Sequence, residues 1–235
     1  MKIALASYEF RNGNIGFNLF QMQRGLFEAR EIGADMLCFG EGFLQGFDAI
    51  SFSYENDLDI AVSQDDERMQ RLTEFSANAG VDLAFGYYEL DGENIYSSYA
   101  VIIDGRLAHN YRRISIGWKE RFAGEEYREG DSVCEFEYKG QIFMLALCGD
   151  MWDMPERFKT SGVLIWPVYV NFSLEKWLEV ETEYAEQAFI AADRALLVNP
   201  LSHEPRSIGG AFFFERGKIA QRLDHGEEGI LLVDL

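Results

Sequence analysis

The spacing of apolar residues changes character several times along the first half of the chain. Lys2 to Ser7 is a short apolar run that predicts a strand. Leu19, Met22, Leu26 and Ala29 then recur every three or four residues, the spacing of one helix face, until Gly33 closes the segment. Residues 36–40 predict a buried strand that ends at a lone acid, Glu41. A polar turn begins at Ser63, and Met69, Leu72, Phe75 and Ser76 mark a second amphipathic helix ending at Gly80.

The middle of the chain reads as antiparallel. Residues 81–90, 95–103 and 107–114 predict three strands, joined at Asp91-Gly92 and Asp104-Gly105, and Asp-Gly between apolar runs is the strongest short hairpin signal. A further hairpin pairs 134–138 with 141–147 across Lys139-Gly140 and runs into Cys148. A helix is expected over 155–160 and a strand over 163–166. Ser173 can cap a long helix whose inner face holds Trp177, Val180, Tyr184, Ala188 and Ala191. Strands over 195–199, 210–215, 218–222 and 230–235 complete the pattern. Helices alternating with strands, with hairpins between, predict mixed sheets with helices on the outside.

Two strand ends carry chemistry. The stretch from Leu145 to Glu156 reads Leu-Ala-Leu-Cys-Gly-Asp-Met-Trp-Asp-Met-Pro-Glu, which delivers the thiol of Cys148 to a sharp turn. A thiol is a weak nucleophile until a base takes its proton, and Glu41, about a hundred residues upstream, is a candidate base. A carboxyl group at the mouth of an apolar pocket can be tuned for that work. Gly149 tolerates a tight backbone and offers an N–H to a developing oxyanion. Cys38, inside an apolar strand, and Cys134, inside a hairpin strand, read as ordinary core thiols.

Composition narrows the setting. The 235 residues are 48% hydrophobic and 14% aromatic with only four prolines, enough for a deep core and without a linker, so one domain over 1–235 is expected. A net charge of -19 argues against nucleic acid and anionic membrane as partners. No signal peptide or membrane-length apolar run is evident, and three cysteines suggest no disulfide framework, so a cytoplasmic location is expected. No CxxC pair and three scattered histidines argue against a structural zinc, and no cofactor is implied. After residues 163–166, the run from Pro167 to Phe172 should pass the Cys148 mouth, with Tyr169 as an aromatic wall and Asn171 as a polar anchor. Phe43, Phe47 and Trp152 would make the pocket partly apolar, which suits a small amide, ureido or nitrile compound.

In this order the motifs resemble the carbon–nitrogen hydrolase (nitrilase-like) superfamily over nearly the whole chain. The resemblance rests on Gly40-Glu41 followed by Phe43-Leu-Gln-Gly-Phe47, and on Asp104-Gly105 leading to Tyr111-Arg-Arg-Ile-Ser115. It rests further on Cys148-Gly-Asp150 with Pro155-Glu156, and on Tyr127-Arg-Glu-Gly-Asp131 and Ala185-Glu-Gln-Ala188. It implies a four-layer α-β-β-α sandwich and a Glu–Lys–Cys triad acting on non-peptide C–N bonds through a thioester, with Cys148 as nucleophile and Glu41 as general base and acid. Where the family keeps its lysine, this chain has Arg113, and Ser115 stands in place of a histidine. Lys119, six residues on, is the other candidate for the stabilising cation, and the Gly117-Trp118 step before it favours a bend that would bring it in. Glu120, Glu125 and Glu126 are all in range for an accessory acid, and Asp150 is expected to brace the elbow. The resemblance also implies a homodimer through outer helices that include residues 173–192, and the chain stops at Leu235 without the carboxy-terminal tail of many relatives. An amidase-type hydrolase is the first reading, and a scaffold that has lost catalysis and binds a small ligand or protein is the second. A Cys–His hydrolase is a third that no histidine-containing block supports.

Overall fold

A computed structural model describes residues 1–235. The order of elements is β1 (Lys2–Ser7), α1 (Ile15–Glu31), β2 (Met36–Cys38), α2 (Tyr54–Asp57), α3 (Glu67–Ala79), β3 (Asp82–Asp91), β4 (Asn94–Ile103) and β5 (Arg106–Arg112). Then come β6 (Cys134–Tyr138), β7 (Gln141–Leu145), α4 (Asp150–Asp153), β8 (Val163–Pro167), α5 (Leu174–Ala191), β9 (Arg194–His203), β10 (Arg206–Glu215), β11 (Lys218–Leu223) and β12 (Gly229–Asp234). They form two six-stranded mixed sheets, in the orders β12-β1-β2-β3-β4-β5 and β11-β10-β9-β8-β7-β6.

Strand alternation sorts the core into layers. In β1, Ile3 and Leu5 join Leu145, Ile165 and Leu196 between the sheets, while Ala4 and Ala6 pack outward with Leu19, Met22 and Leu26 of α1 and Met69 and Leu72 of α3. On the far side Trp177, Val180 and Tyr184 bind α5 to the second sheet. Each such side chain contributes about 1.5–3 kcal/mol on burial. The result is the four-layer α-β-β-α sandwich. Side chains cap the helix starts: Asn14 accepts from Phe17 N–H at 3.0 Å, Asp66 from Arg68 N–H at 2.7 Å, and Ser173, as expected, from Lys176 N–H at 3.2 Å. No helix is long and apolar enough to cross a membrane.

Several expected bounds shift for local reasons. The helix expected over 155–160 is a 3-10 turn, Pro155–Phe158, preceded by the four-residue α4, and Met154 (φ -145°, ψ 47°) separates them. The strands expected over 195–199 and 210–215 are each ten residues long, because hairpin pairing carries past Pro200 as far as His203 and Arg206. β2 is only three residues long, since residues 39–44 peel away and lie across Gly86 of β3.

Gly86 is where this crossing is tightest. Its N–H bonds Gly40 O at 3.1 Å and its carbonyl accepts from Leu44 N–H at 3.1 Å. A Cβ at this position would sit against Gly42 N, 2.6 Å from Glu41 Cα and 2.7 Å from Gly40 O. Gly86→Ala should therefore cost about 1–3 kcal/mol through overpacking against backbone. Urea denaturation reads this as a lowered midpoint, and an unchanged midpoint would show that the 40–44 segment yields freely.

Candidate active site

The ladder beside β8 does not stop where β7 ends. Ala146 N–H bonds Ile165 O at 3.1 Å and Cys148 N–H bonds Pro167 O at 3.0 Å, so pairing with the neighbouring strand carries the chain up to the thiol. There the backbone turns left-handed, with φ 37° at Cys148, a conformation costing about 1–3 kcal/mol for a residue with a Cβ. Asp150 holds the turn. Its Oδ2 accepts from Leu147 N–H (2.8 Å) and Tyr111 O–H (2.6 Å), and its Oδ1 from Ile114 N–H (3.1 Å) and Ser115 N–H (2.8 Å). Trp166 Nε1–H adds a bond to Cys148 O at 2.9 Å. Gly149 opens α4, and its N–H has no partner within the protein.

Glu41 and Arg113 meet behind this elbow, both buried. Arg113 Nη1 donates to Glu41 Oε1 at 2.9 Å and Arg113 Nε to Ser115 Oγ at 2.7 Å, while Ser97 Oγ donates to the same Glu41 oxygen at 3.1 Å. Glu41 Oε2 is buried without a partner. Two glycines make room for the guanidinium. A Cβ on Gly149 would collide with Arg113 Nη2, and one on Gly117 would stand 3.2 Å from it. A second ion pair runs parallel to the first. Ser98 and Arg112, paired in register across β4 and β5, both bond Glu89, whereas Ser97 and Arg113 both bond Glu41. Adjacent residues in a strand face opposite ways, so each carboxylate takes one serine and one arginine from its own side.

The charges explain the state of the thiol. Burial raises the Cys148 pKa, the Glu41 carboxylate raises it further and Arg113 pulls it back, leaving it pushed up to about 12. Burial works against the Arg113 charge, but Glu41, Cys148 and Asp150 outweigh it and hold the guanidinium's pKa above its ordinary value. At neutral pH the resting sulfur therefore carries its proton, and it lies 3.9 Å from Tyr169 O.

A cavity of about 470 Å³ opens at the sulfur. Cys148, Trp152, Tyr169 and Asn171 all line it, with Val180 and Tyr184 of α5 behind. Tyr169 is backed by Phe47, stacked at 4.6 Å, and Trp152 stands half exposed at the rim. Lys119 is elsewhere. Its Nζ bonds Tyr127 O at 2.7 Å and pairs with Glu129 at 2.7 Å, so the cation gathered with Glu41 is Arg113, against the bend expected at Gly117-Trp118. The bend exists, but Trp118 is buried against Tyr88 and Tyr127, and this turns Lys119 toward Glu129. None of Glu120, Glu125 and Glu126 bonds Cys148, Glu41 or Arg113 through its side chain. No histidine bonds the thiol, and no group of three or more His, Cys, Asp and Glu side chains converges as metal ligands would. Ser97 went unnoticed in the sequence. The signal was there, two serines inside a strand otherwise rich in apolar and aromatic residues.

A family model for carbon-nitrogen hydrolases matches residues 2–160. The glutamine-dependent NAD(+) synthetase of Thermotoga maritima is 26% identical over 160 residues, and that of Acinetobacter baylyi 25% identical over 159, matching 66% and 65% of this chain. The matched region spans 27% and 28% of those proteins, so the chain corresponds to about a quarter of their length. Among solved structures, an amidase of the nitrilase superfamily from Nesterenkonia AN1 superposes with TM-score 0.81 at 19% identity, covering 100% of this chain and 90% of that one. The glutamine-dependent NAD+ synthetase of Acinetobacter baumannii gives TM-score 0.78 at 20% identity, covering 98% of this chain and 44% of its own.

The brace at Asp150 can be tested apart from any activity. Asp150→Asn puts an amide donor where one carboxylate oxygen accepts two hydrogens, and should destabilise the protein by about 1.5–3 kcal/mol. Tyr111→Phe, which removes one donor and leaves three, should cost less. Equal and negligible losses in urea denaturation would show that the elbow stands without the carboxylate.

Proposed function

The chain belongs to the carbon–nitrogen hydrolase family, and from that premise we propose that it hydrolyses a C–N bond of a small amide through a thioester on Cys148. The observation that carries the reading is that a strained elbow thiol, which lines the cavity, has a half-bonded buried carboxylate and a buried guanidinium as its charged neighbours. Glu41 Oε2, the oxygen with no partner, takes the thiol proton as sulfur attacks the carbonyl carbon. Oε1 stays tied to Arg113 and Ser97 meanwhile, so the base cannot swing away. The carbonyl oxygen becomes an oxyanion, met by Gly149 N–H and by Arg113 Nη2, the guanidinium nitrogen with no protein partner. Collapse of this intermediate breaks the C–N bond, and Glu41 returns the proton to the leaving nitrogen. Water activated by Glu41 then attacks the thioester and frees the acid and Cys148. Trp152, Tyr169 and Asn171 hold the rest of the substrate. In the same reading residues 1–235 work as one domain in a reducing cytoplasm, as a homodimer joined through the exposed Leu178 and Phe189 side of α5.

A second reading has its own observation: the Glu41–Arg113 pair is buried and the thiol is held protonated, as a scaffold without turnover would also be. It predicts a ligand that raises the melting temperature with no ammonia released.

An amide panel that includes glutamine, assayed for ammonia, separates the two readings. Cys148→Ala should abolish release and Glu41→Gln should lower it about 10²–10⁴-fold. Arg113→Gln should also lower the melting temperature, because it strands a buried carboxylate at a cost of about 3–5 kcal/mol. Release unaffected by Cys148→Ala would remove the thioester route.

Alkylation of Cys148 by iodoacetamide gives the pH dependence of the free site. With the thiol's pKa near 12, the thiolate fraction and the rate should climb about tenfold per pH unit from 7 to 10. A plateau by pH 8 would mean a standing thiolate.

A further inference from the structure

We propose that Asn199, in β9, is a positioning residue that clamps the wall of the Cys148 cavity. The ladder between β8 and β9 ends at the Pro167–Val198 pair, and Val168 N–H adds one more bond to Val198 O at 3.0 Å. Beyond that the chain leaves the sheet to line the cavity with Tyr169, Val170 and Asn171. The Asn199 side chain takes over at this point. Its Oδ1 accepts from Val170 N–H at 2.8 Å and its Nδ2 donates to Val170 O at 2.9 Å. An amide side chain thus supplies both hydrogen bonds that a neighbouring strand would otherwise give, to a segment no strand can follow.

The clamp is itself held. Asn199 is fully buried, Nδ2 also lies 3.1 Å from Ser207 Oγ, and its backbone carbonyl accepts from Ser7 Oγ at 2.9 Å. What it supports matters to both reacting groups. Pro167 O receives Cys148 N–H, Val168 O receives Glu41 N–H at 3.3 Å, and Tyr169 O faces the sulfur. The first two contacts sit where the ladder still holds the segment. Tyr169 and Asn171 sit next to the clamped residue and have no ladder. Loss of the clamp leaves Val170 with only the Ser207 Oγ bond to its carbonyl and so loosens the wall while leaving nucleophile and base in place, which weakens substrate binding more than chemistry.

The kinetic half of this inference rests on the proposed hydrolase reading, and the labelling half does not. Asn199→Ala is compared with Ser76→Ala, which removes a buried side-chain bond to backbone (Ser76 Oγ to Val81 O, 2.8 Å) in α3, away from the cavity. Cys148 is labelled with iodoacetamide and with the bulkier N-ethylmaleimide. Asn199→Ala should raise the ratio of bulky to small labelling about threefold or more, with Ser76→Ala unchanged, because a loosened wall admits the larger reagent. With an amide that turns over, KM should rise about tenfold while kcat stays within about threefold. An unchanged ratio, or the same change in both variants, would overturn the clamp. Absence of turnover with a shifted ratio would sink the hydrolase reading and leave the clamp standing. Should Asn199→Ala fail to fold, Ser207→Ala removes a partner of the clamp together with the bond from Ser207 Oγ to Val170 O (2.8 Å), and spares the Val170 N–H bond. It should shift the ratio less and in the same direction, and no shift would again overturn the inference.

Discussion

Asp150 never meets water, yet it accepts four hydrogen bonds from elements on both sheets: Leu147 just past β7, and Tyr111, Ile114 and Ser115 at and beyond the end of β5. Filling the lone pairs this completely offsets the cost of burying the carboxylate. The requirement works in both directions. The four donors must stay where they are for Asp150 to remain buried, so the ends of β5 and β7 are locked at one distance. That lock sets Cys148 in its left-handed turn on one side and Arg113, between Tyr111 and Ser115 in sequence, on the other. The reacting groups thus inherit their spacing from a residue that need not react itself.

Much of this was legible in the chain, because the signals were local. Asp91-Gly92 and Asp104-Gly105 specified their hairpins through turn chemistry alone, and β3, β4 and β5 pair across them. The Cys-Gly-Asp run announced an elbow because glycine and an acid after an apolar strand leave few other conformations. The identity of the cation near Glu41 was not legible from spacing. It depended on the burial of Trp118 between Tyr88 and Tyr127, residues 30 positions before and 9 after it, and that packing turned Lys119 toward Glu129. Asn199 was hidden for a related reason: its clamp joins residues 29 apart through a side chain, and no periodicity records such a bond. Pro200 likewise concealed the true length of β9, since pairing with β10 resumes at Leu201 and Ser202.

The arginine at position 113 is matched by the residues around it. An ammonium is compact and needs no more than a point of attachment, whereas a guanidinium is flat, forked and larger. Gly117 and Gly149 leave the volume that the fork needs, and Ser115 gives Nε an acceptor at 2.7 Å. Without them the guanidinium would leave Nε–H unsatisfied and clash with a Cβ at position 149. Here space and acceptor are both supplied, and one nitrogen, Nη2, is left over beside the unpaired N–H of Gly149. Two unpaired donors beside a strained thiol form a place for negative charge. On the proposed reading that charge is the oxyanion, and the guanidinium, held above its ordinary pKa by its neighbours, never gives up the proton that stabilises it.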